Sequence, residues 1–428
     1  MRGGYTAPEL RALGTRSRVL GLLAVLLASA SASSAQYTKT ELPKTRFRLG
    51  PLRFTPRLEL RNAGRDSNVF VDPTDPVSDT SVVLRGSVEG YVPLARRLRV
   101  SGEGWLDWSY FRRYTTERST DPGGEGRAEL DVGSFTLVGG AGALQARQLY
   151  SIDIDTRTLR QEKRVYGGAE WRLTRRLSLS GGAQMASYRY DGRATTAGGS
   201  FATAGSLNRN SLTGHTEARY RLTSMTVAVA TADVIEDEFA LSSPGLRKTR
   251  SYRYLAGFEF GEKALVTGRF FAGFRDFPAA SSGSLPSYRG PAFLAEVALP
   301  VRQAGRLVGS LQRDVYVSST PTISAEDRAR NSYVLTGLRG TAEIGLPFDF
   351  LGRVTAGFDE AKYLVPFTVS GVPFPRVDHL YSVSGSLLRR FGEGLRIGGT
   401  ATYYRRVSTI PGESYERWVY GISAELAP

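Results

Sequence analysis

Apolar and polar residues alternate with a period of two along most of this chain. The pattern is clearest at 80–113, where two alternating runs are separated by a short turn at 93–97. Each run is longer than a dozen residues, whereas a strand of a soluble sandwich usually has about 5–6. A tilted strand needs about 9–11 residues to cross a bilayer. Long strands with one apolar face, one charged face and aromatic ends therefore predict a transmembrane β-hairpin.

The same rhythm of alternating run, short turn, alternating run and long polar loop continues along the chain. Regular spacing of this kind is typical of an all-β barrel. Eight short turns interleave with nine long loops, which matches the short periplasmic turns and longer extracellular loops of outer-membrane barrels. We therefore predict one transmembrane antiparallel up-and-down β-barrel of about 18 strands at 54–428. The predicted strands are 54–62, 80–92, 98–111, 124–132, 135–148, 163–173, 177–190, 209–221, 224–235, 249–261, 264–277, 289–300, 306–317, 331–345, 350–363, 377–390, 394–407 and 415–427.

The alternation also assigns the two faces of the predicted wall. Apolar sets with aromatic ends suit the lipid side, because amphipathic rings fit the headgroup level. An Arg or Lys on that side costs about 2–4 kcal/mol at the bilayer midplane, so the charged sets are predicted to face a watery lumen. The clearest lipid-facing sets lie in 165–173, 252–260, 395–403 and 418–426. The candidate lumen-lining residues are Arg85, Glu89, Glu103, Trp105, Asp107, Glu217 and Arg219.

Residues 1–35 are typical of a cleavable secretory signal. Four Arg precede or border the apolar core at 19–27, and Ser33 and Ala35 stand before the predicted cleavage site. The core is much shorter than the ~20 residues that a membrane-spanning helix needs. The basic segment at 36–53 is predicted as a periplasmic lead-in to the first strand, with a docking arm as the alternative.

Composition narrows the class of protein further. No later window holds 18 consecutive apolar residues, which excludes a helical membrane protein. The chain has no cysteine, so an exported protein of this length has to be held by its sheet, without disulfides or thiolate metal sites. Closure of a barrel would achieve this, because it pairs every strand edge.

The net charge of +15 raises the question of a nucleic-acid partner. The signal carries four Arg and one Glu, so +12 remains after its removal. Export and the lack of a Lys/Arg cluster argue against nucleic acid. Arg residues that alternate with Asp and Glu along the strands instead indicate a lumen of mixed sign.

Candidate catalytic residues are few. His215 and His379 are the only histidines, each beside an acid on a predicted strand. No G-x-S-x-G sequence accompanies either one, so we favour hydrogen bonds in the lumen over catalysis. We predict no enzymatic activity and no cofactor.

Three acidic groups raise the alternative of Ca²⁺ or a divalent bridge to lipopolysaccharide. None has the Gly and Glu spacing of an EF-hand loop, which favours solvated loop charge and predicts no metal site. The groups are Asp72, Asp75 and Asp79; Asp153 and Asp155; and Glu236, Asp237 and Glu238.

The N-terminal strand and loop carry a family resemblance. The sequence LELRNAGRDSNVF at 58–70, followed by SDT at 78–80 and the first hairpin, resembles the opening of a β-barrel porin family encoded beside exopolysaccharide and capsule export genes in Gram-negative bacteria. The piece DSNVF is the most specific part. The resemblance covers about sixty residues; it implies an outer-membrane barrel that assists or accompanies polysaccharide secretion.

The C-terminus departs from the usual aromatic assembly signal of outer-membrane barrels. The chain ends in ELAP, so the insertion machinery would have to recognise Trp418, Tyr420, Ile422 and Leu426. Besides that machinery, the expected partners are outer-membrane lipid, lipopolysaccharide and polysaccharide export components.

Three hypotheses for function follow. The first is a porin-like conduit whose polar lumen passes exopolysaccharide or small hydrophilic solutes, because Arg and carboxylates can bind hydroxyls and aromatic faces can stack on sugar rings. The second is a non-conducting structural or adhesive barrel, and the third is an outer-membrane hydrolase.

Overall fold

The chain folds into a sheet of long antiparallel strands. The computed structural model describes residue 37 and residues 42–43, 45–148, 157–191, 194–196, 199–201, 208–239, 247–261, 264–278, 286–301, 305–318, 332–369 and 372–427. Within these residues the long strands are β1 (Leu52–Asp66), β2 (Asp79–Pro93), β3 (Leu98–Phe111), β4 (Ser119–Val132), β5 (Phe135–Gln148), β6 (Thr158–Arg172), β7 (Leu177–Tyr190), β8 (Arg209–Arg221), β9 (Thr226–Phe239), β10 (Arg247–Phe260), β11 (Thr267–Phe277), β12 (Tyr288–Val301), β13 (Gly305–Val317), β14 (Ser332–Leu346), β15 (Phe350–Tyr363), β16 (Val377–Phe391), β17 (Leu395–Ser408) and β18 (Tyr415–Leu426).

The sheet closes on itself. Each long strand pairs antiparallel with its neighbours in sequence, and β18 returns to pair with β1, where Leu58 lies opposite Leu426. Closure removes the free edges at which a sheet could pair with another chain. The predicted all-β, up-and-down barrel of 18 strands, with short turns alternating with longer loops, is confirmed.

Apolar side chains cover the outside of the barrel between two aromatic girdles. The girdle at the loop ends of the strands includes Trp108, Tyr254, Tyr381 and Trp418, and the girdle at the turn ends includes Phe135, Trp171 and Phe391. Aliphatic residues such as Val165 and Ile422 are more than half exposed between them. Because a closed barrel satisfies its backbone hydrogen bonds internally, this apolar belt can face lipid. The structure is therefore that of a membrane-spanning β-barrel.

The observed strands extend beyond most of the predicted ones, and β4 shows why. Its start was predicted at 124, after the sequence DPGG, but the strand begins at Ser119. Pro122 has no N–H to donate. The strand tolerates it because the ladder between β4 and β5 begins only at Gly123. Residues 119–122 of β4 pair with β3 alone. On the side of β5, the Asp121 carboxylate accepts a hydrogen bond from the Arg147 N–H at 3.1 Å.

A short strand precedes the barrel at the turn end. Phe47–Leu49 pairs with the first residues of β1 through a tight turn at Gly50, whose φ of 59° suits glycine. The predicted signal at 1–35 lies outside the described residues. Two pairs of short antiparallel strands lie in two of the long loops: 194–196 pairs with 199–201, and 367–369 pairs with 372–374.

One element of the described chain is helical, a single 3₁₀ turn at Thr115–Glu117. Among the described residues, no helix is long and apolar enough to cross a membrane.

Candidate functional site in the barrel interior

Five of the seven predicted lumen-lining residues lie together on the inward faces of β2 and β3. The Arg85 guanidinium lies 3.5 Å from the Asp107 carboxylate and 5.1 Å from the centre of the Trp105 ring. Glu89 accepts a hydrogen bond from Arg57 on β1 at 3.3 Å. We call this group the tryptophan patch; its members are Arg85, Glu89, Glu103, Trp105 and Asp107.

Trp105 is seated by a glycine on the next strand. A Cβ atom on Gly123 would lie 2.3 Å from the indole ring, so only glycine lets the ring lie against the wall at this level. The indole stays half-buried. A half-buried aromatic ring beside one guanidinium and several carboxylates offers both a stacking face and hydrogen-bonding groups.

The other two predicted residues, Glu217 and Arg219, lie on β8 in a more closely packed part of the interior. Arg219 donates to Glu217 at 3.1 Å and pairs with Glu259 on β10. The side chain of Glu217 is fully buried. The structure therefore does not bring these two residues to the tryptophan patch, and their contacts are those of wall packing.

Beside them a buried cluster surrounds His215. The His215 Nδ1 atom lies 2.6 Å from the Asp233 carboxylate, and Arg253 donates to Asp233 at 2.9 Å. Arg253 also donates to Asp314 at 3.1 Å, which connects β10 to β13 across two intervening strands. We call these four residues the histidine cluster. Inward hydrogen bonding of His215 agrees with the interpretation from the sequence.

His379 does not fit that interpretation. It has the same strand parity as the exposed Tyr381, and its Nε2 atom lies 3.2 Å from Glu360 and its ring stacks on Phe358 at 5.7 Å. The prediction of a lumenal hydrogen bond was wrong for His379, because near the loop end the outward face also carries polar residues.

The motif DSNVF, residues 66–70, begins at the last residue of β1 and continues into the loop at 67–78, which we call the first loop. Asp66 accepts hydrogen bonds from Arg417 of β18 at 2.9 Å and from the Asn68 N–H at 3.1 Å. Asn68 donates to the backbone carbonyls of Asp72 and Glu416. The first loop is thereby attached to the last strand of the barrel.

The apolar residues of the first loop fold inward. Val69 is fully buried and Phe70 is 6% exposed, and both pack against Phe111, an inward-facing residue of β3. Tyr114 contacts the Phe70 ring edge-on at 4.8 Å. A loop that packs against an inward residue narrows the barrel at its loop end.

A second loop, at 112–118, lies beside the first. The backbone N–H groups of Arg113 and Tyr114 donate to Asp79. Glu117 is buried, 3.6 Å from Arg157, and burial raises the pKa of Glu117 above its ordinary value. Burial also lowers the pKa of Arg157 to about 10. Both shifts show that removal from water outweighs the attraction between the two groups.

Several of the acidic residues considered for calcium have other partners. Hydrogen bonds from the backbone of Asp75 and Thr74 lower the pKa of Asp72. Glu236 pairs with Arg250 at 3.1 Å and Asp237 with Arg209 at 3.5 Å. Asp153 and Asp155 lie outside the described residues. In the described part of the chain, no group of three or more His, Cys, Asp or Glu residues is arranged to hold a metal ion.

The sequence did not single out a further buried charge cluster at the loop end. Asp378 accepts hydrogen bonds from Arg376 and Arg406, each at 2.9 Å. The Arg376 guanidinium also lies 4.6 Å from the centre of the Tyr363 ring. Arg376 lies outside the predicted strands, so the alternation of apolar and polar residues could not assign it to a face of the wall.

The sequence matches no protein-family model and no curated protein. The structure is similar to the siderophore receptor PirA from Acinetobacter baumannii, with 7% identity, a TM-score of 0.48, and coverage of 91% of this chain and 81% of that chain. It is also similar to the outer membrane protein OpdK from Pseudomonas aeruginosa, with 10% identity, a TM-score of 0.47, and coverage of 88% and 98%. At such identities the likeness concerns the fold alone, so the interior of this chain has to carry any statement about function.

Proposed function

We propose that the barrel is a porin-like conduit for hydrophilic solutes, with exopolysaccharide or shorter sugar chains as the expected class. The observation that carries the proposal is the tryptophan patch, where Trp105 stays half-buried among Arg85, Asp107 and Glu103 on the inward face. The most buried ion pairs of the interior serve packing, whereas this patch retains accessible surface.

The chemistry of the patch suits a sugar. Hydroxyl groups can accept from a guanidinium and donate to a carboxylate, while the apolar face of a sugar ring can stack on indole. Arg57 and Glu89 extend the same mixture of charges toward the turn end. A sugar chain could therefore exchange hydrogen bonds stepwise along β2 and β3 as it moves.

Planar-bilayer recording with added dextran oligosaccharides tests this proposal. We expect the wild-type protein to conduct ions and the sugar to interrupt the current. Trp105→Ala should weaken that interruption about fivefold, since an aromatic contact contributes about 1 kcal/mol. Trp108→Ala is the matched control, because Trp108 lies on the same strand and faces lipid. Equal sugar block in both variants would refute the role of the patch.

A non-conducting structural or adhesive barrel is the second candidate. It is favoured by the first loop, which fills part of the loop end with Val69 and Phe70. Absence of conductance in the wild-type protein and in a variant with the first loop shortened would support this candidate over the conduit.

The remaining expectations belong to the same proposal. The apolar belt would contact outer-membrane lipid and lipopolysaccharide, the insertion machinery would recognise β18, and polysaccharide export components would act at the periplasmic side. A hydrolase is disfavoured because, among the described residues, the groups that contact the His215 ring are Asp233, Glu217 and Tyr37, and none of them is a serine nucleophile.

A further inference from the structure

A pocket in the inner wall of β6, β7 and β8 holds the ring of Tyr37. The ring stacks on His215, with centroids 5.4 Å apart and planes 22° apart. Tyr166 meets it edge-on at 6.4 Å. Tyr37 is 1% exposed, so this aromatic side chain is enclosed as completely as a core residue, although it precedes the barrel in sequence.

Two glycines form the floor of the pocket. A Cβ atom on Gly168 would lie 2.6 Å from the Tyr37 ring, and one on Gly182 would lie 2.4 Å from it. Any larger residue at either position would collide with the ring. Two glycines on adjacent strands, a stacked imidazole and a perpendicular phenol therefore make a built site for one planar ring.

The phenol group suits its surroundings. A tyrosine phenol is neutral at physiological pH, so the buried Tyr37 ring adds no charge to the interior beside Asp233. The stack on His215 connects Tyr37 to the histidine cluster, whose Asp233 and Arg253 are themselves buried. Tyr37 thus closes the histidine cluster from the lumen side.

The position of the pocket matters because Tyr37 and Phe47 are fixed on different parts of the wall. Phe47 pairs with Phe54 at the start of β1, whereas Tyr37 contacts β6 to β8, about a third of the way round the 18 strands. Tyr37 is therefore held away from β1, the strand with which Phe47 pairs.

We propose that this pocket is a docking site for the chain's own Tyr37, and that the docked side chain obstructs the lumen. Docking stabilises the resting barrel, because the ring buries apolar surface and covers His215. Undocking leaves the pocket to water and increases the conducting cross-section. The obstruction rests on the proposed conduit function, whereas the docking does not.

Cross-linking tests the docking by itself. The chain has no cysteine, so the pair Tyr37→Cys and Gly182→Cys is the only source of thiols. We expect this pair to form an intramolecular disulfide with copper phenanthroline in isolated outer membranes. The control pair joins Tyr37→Cys to Gly214→Cys, a position on β8 with no neighbouring atom within 4 Å of a Cβ and with outward strand parity. Equal cross-linking of both pairs, or of neither, would overturn the docking.

Bilayer recording tests the obstruction. Tyr37→Ala and Gly182→Val should each raise single-channel conductance at least twofold, while Gly214→Val should leave it unchanged. Heat-dependent mobility on gels verifies that each variant has folded.

The two proposals fail separately. Conductance that is measurable and equal in wild type, Tyr37→Ala and Gly182→Val would overturn the obstruction while leaving the conduit intact. No conductance in any of these proteins would overturn both the conduit and the obstruction, and the cross-link would then decide the docking alone.

Discussion

Single residues inside this barrel are organised by guanidinium–carboxylate pairing. Asp66 with Arg417, Asp378 with Arg406, and Asp233 with Arg253 are all nearly or fully buried. A charge that loses its partner in such a place keeps its desolvation penalty, so breaking the pair costs more than forming it contributes. These pairs specify which side chains can neighbour each other in the interior.

Asp66→Ala should therefore be strongly destabilising. It leaves Arg417 buried without its carboxylate, and we expect a loss of about 3–5 kcal/mol in the free energy of unfolding. Glu416→Ala is the control, because the pair of Glu416 with Arg405 is more than half exposed and should contribute at most about 1 kcal/mol. Urea unfolding in lipid vesicles, followed by tryptophan fluorescence, measures both; similar losses would contradict the argument.

Glu117 should make the packing of the second loop depend on pH. Its pKa is raised in the folded loop above the ordinary value of 4.5, so the folded loop binds the proton more tightly than the free chain does. The stabilisation is present below pH 4.5 and is lost as pH rises through the raised pKa. A nitroxide label on Thr116→Cys should gain mobility over that range, whereas Glu117→Gln should abolish the change. An identical pH profile in both proteins would exclude Glu117 as the titrating group.

At the scale of elements, the seam between β1 and β18 combines an irregular register with a close approach of the two strands. A bulge between Leu60 and Asn62 shifts the register of β1 against β2, and the buried Asn62 donates to Ser81 at 3.1 Å. Past the bulge the seam strands approach closely, since a Cβ on Gly64 would lie 1.9 Å from the Tyr420 carbonyl oxygen. A bulge concentrates twist at one point of a sheet, and here that point lies next to the closing pair of strands.

Gly64→Val should impair closure of the barrel. The added side chain has no room at the seam, and overpacking of this kind costs about 1–3 kcal/mol. The control is Gly86→Val on β2, where a Cβ would meet no atom within 4 Å. The fraction of protein that keeps its compact mobility on unheated gels should fall for Gly64→Val only; equal fractions would show that the seam tolerates a side chain.

At the scale of the whole molecule, the closed sheet separates an apolar outside from a charged inside. Outward residues such as Ile422 and Leu338 are each 57% exposed, which would be unfavourable in water but suits lipid. The inward side of the same strands holds Arg417 and Arg339. The barrel is thus suited to a place where lipid covers its apolar outer face and water reaches its charged inner face.

Ile422→Arg should destabilise the protein in a bilayer. Ile422 lies in the middle of β18 on the lipid side, where an Arg costs about 2–4 kcal/mol. Phe374→Arg, in a loop hairpin with similar exposure, should cost much less. Urea unfolding in phosphatidylcholine vesicles compares the two; a penalty of equal size would contradict the assignment of the faces.

The sequence was sufficient for the barrel because its main signal is local. Alternation of the kind seen at 80–113 fixes both the strand and its two faces, and the strict order of turns and loops fixes the topology. The grouping of Arg85, Trp105 and Asp107 was likewise foreseeable, since β2 and β3 form one hairpin.

Contacts between distant segments could not be foreseen in this way. Asp66 and Arg417 are 351 residues apart in sequence, and Tyr37 lies in a segment without alternation. The extent of β4 through Pro122 depends on where its pairing with β5 stops. The outward position of His379 depends on how far the polar rim extends down the wall. Each of these features is decided by neighbours in space, which periodicity does not identify.

The attachment of the first loop to β18 affects the number of strands at which the barrel closes during insertion. A smaller barrel of sixteen strands would have to pair β1 with β16, where Ser382 stands level with Arg417 through Tyr404 of β17. Asp66 would then lose its guanidinium partner, and its charged carboxylate would remain buried and unpaired. The motif DSNVF therefore favours the complete barrel of 18 strands. Closure after sixteen strands leaves Asp66 without its ion-pair partner, whereas closure with β18 supplies Arg417.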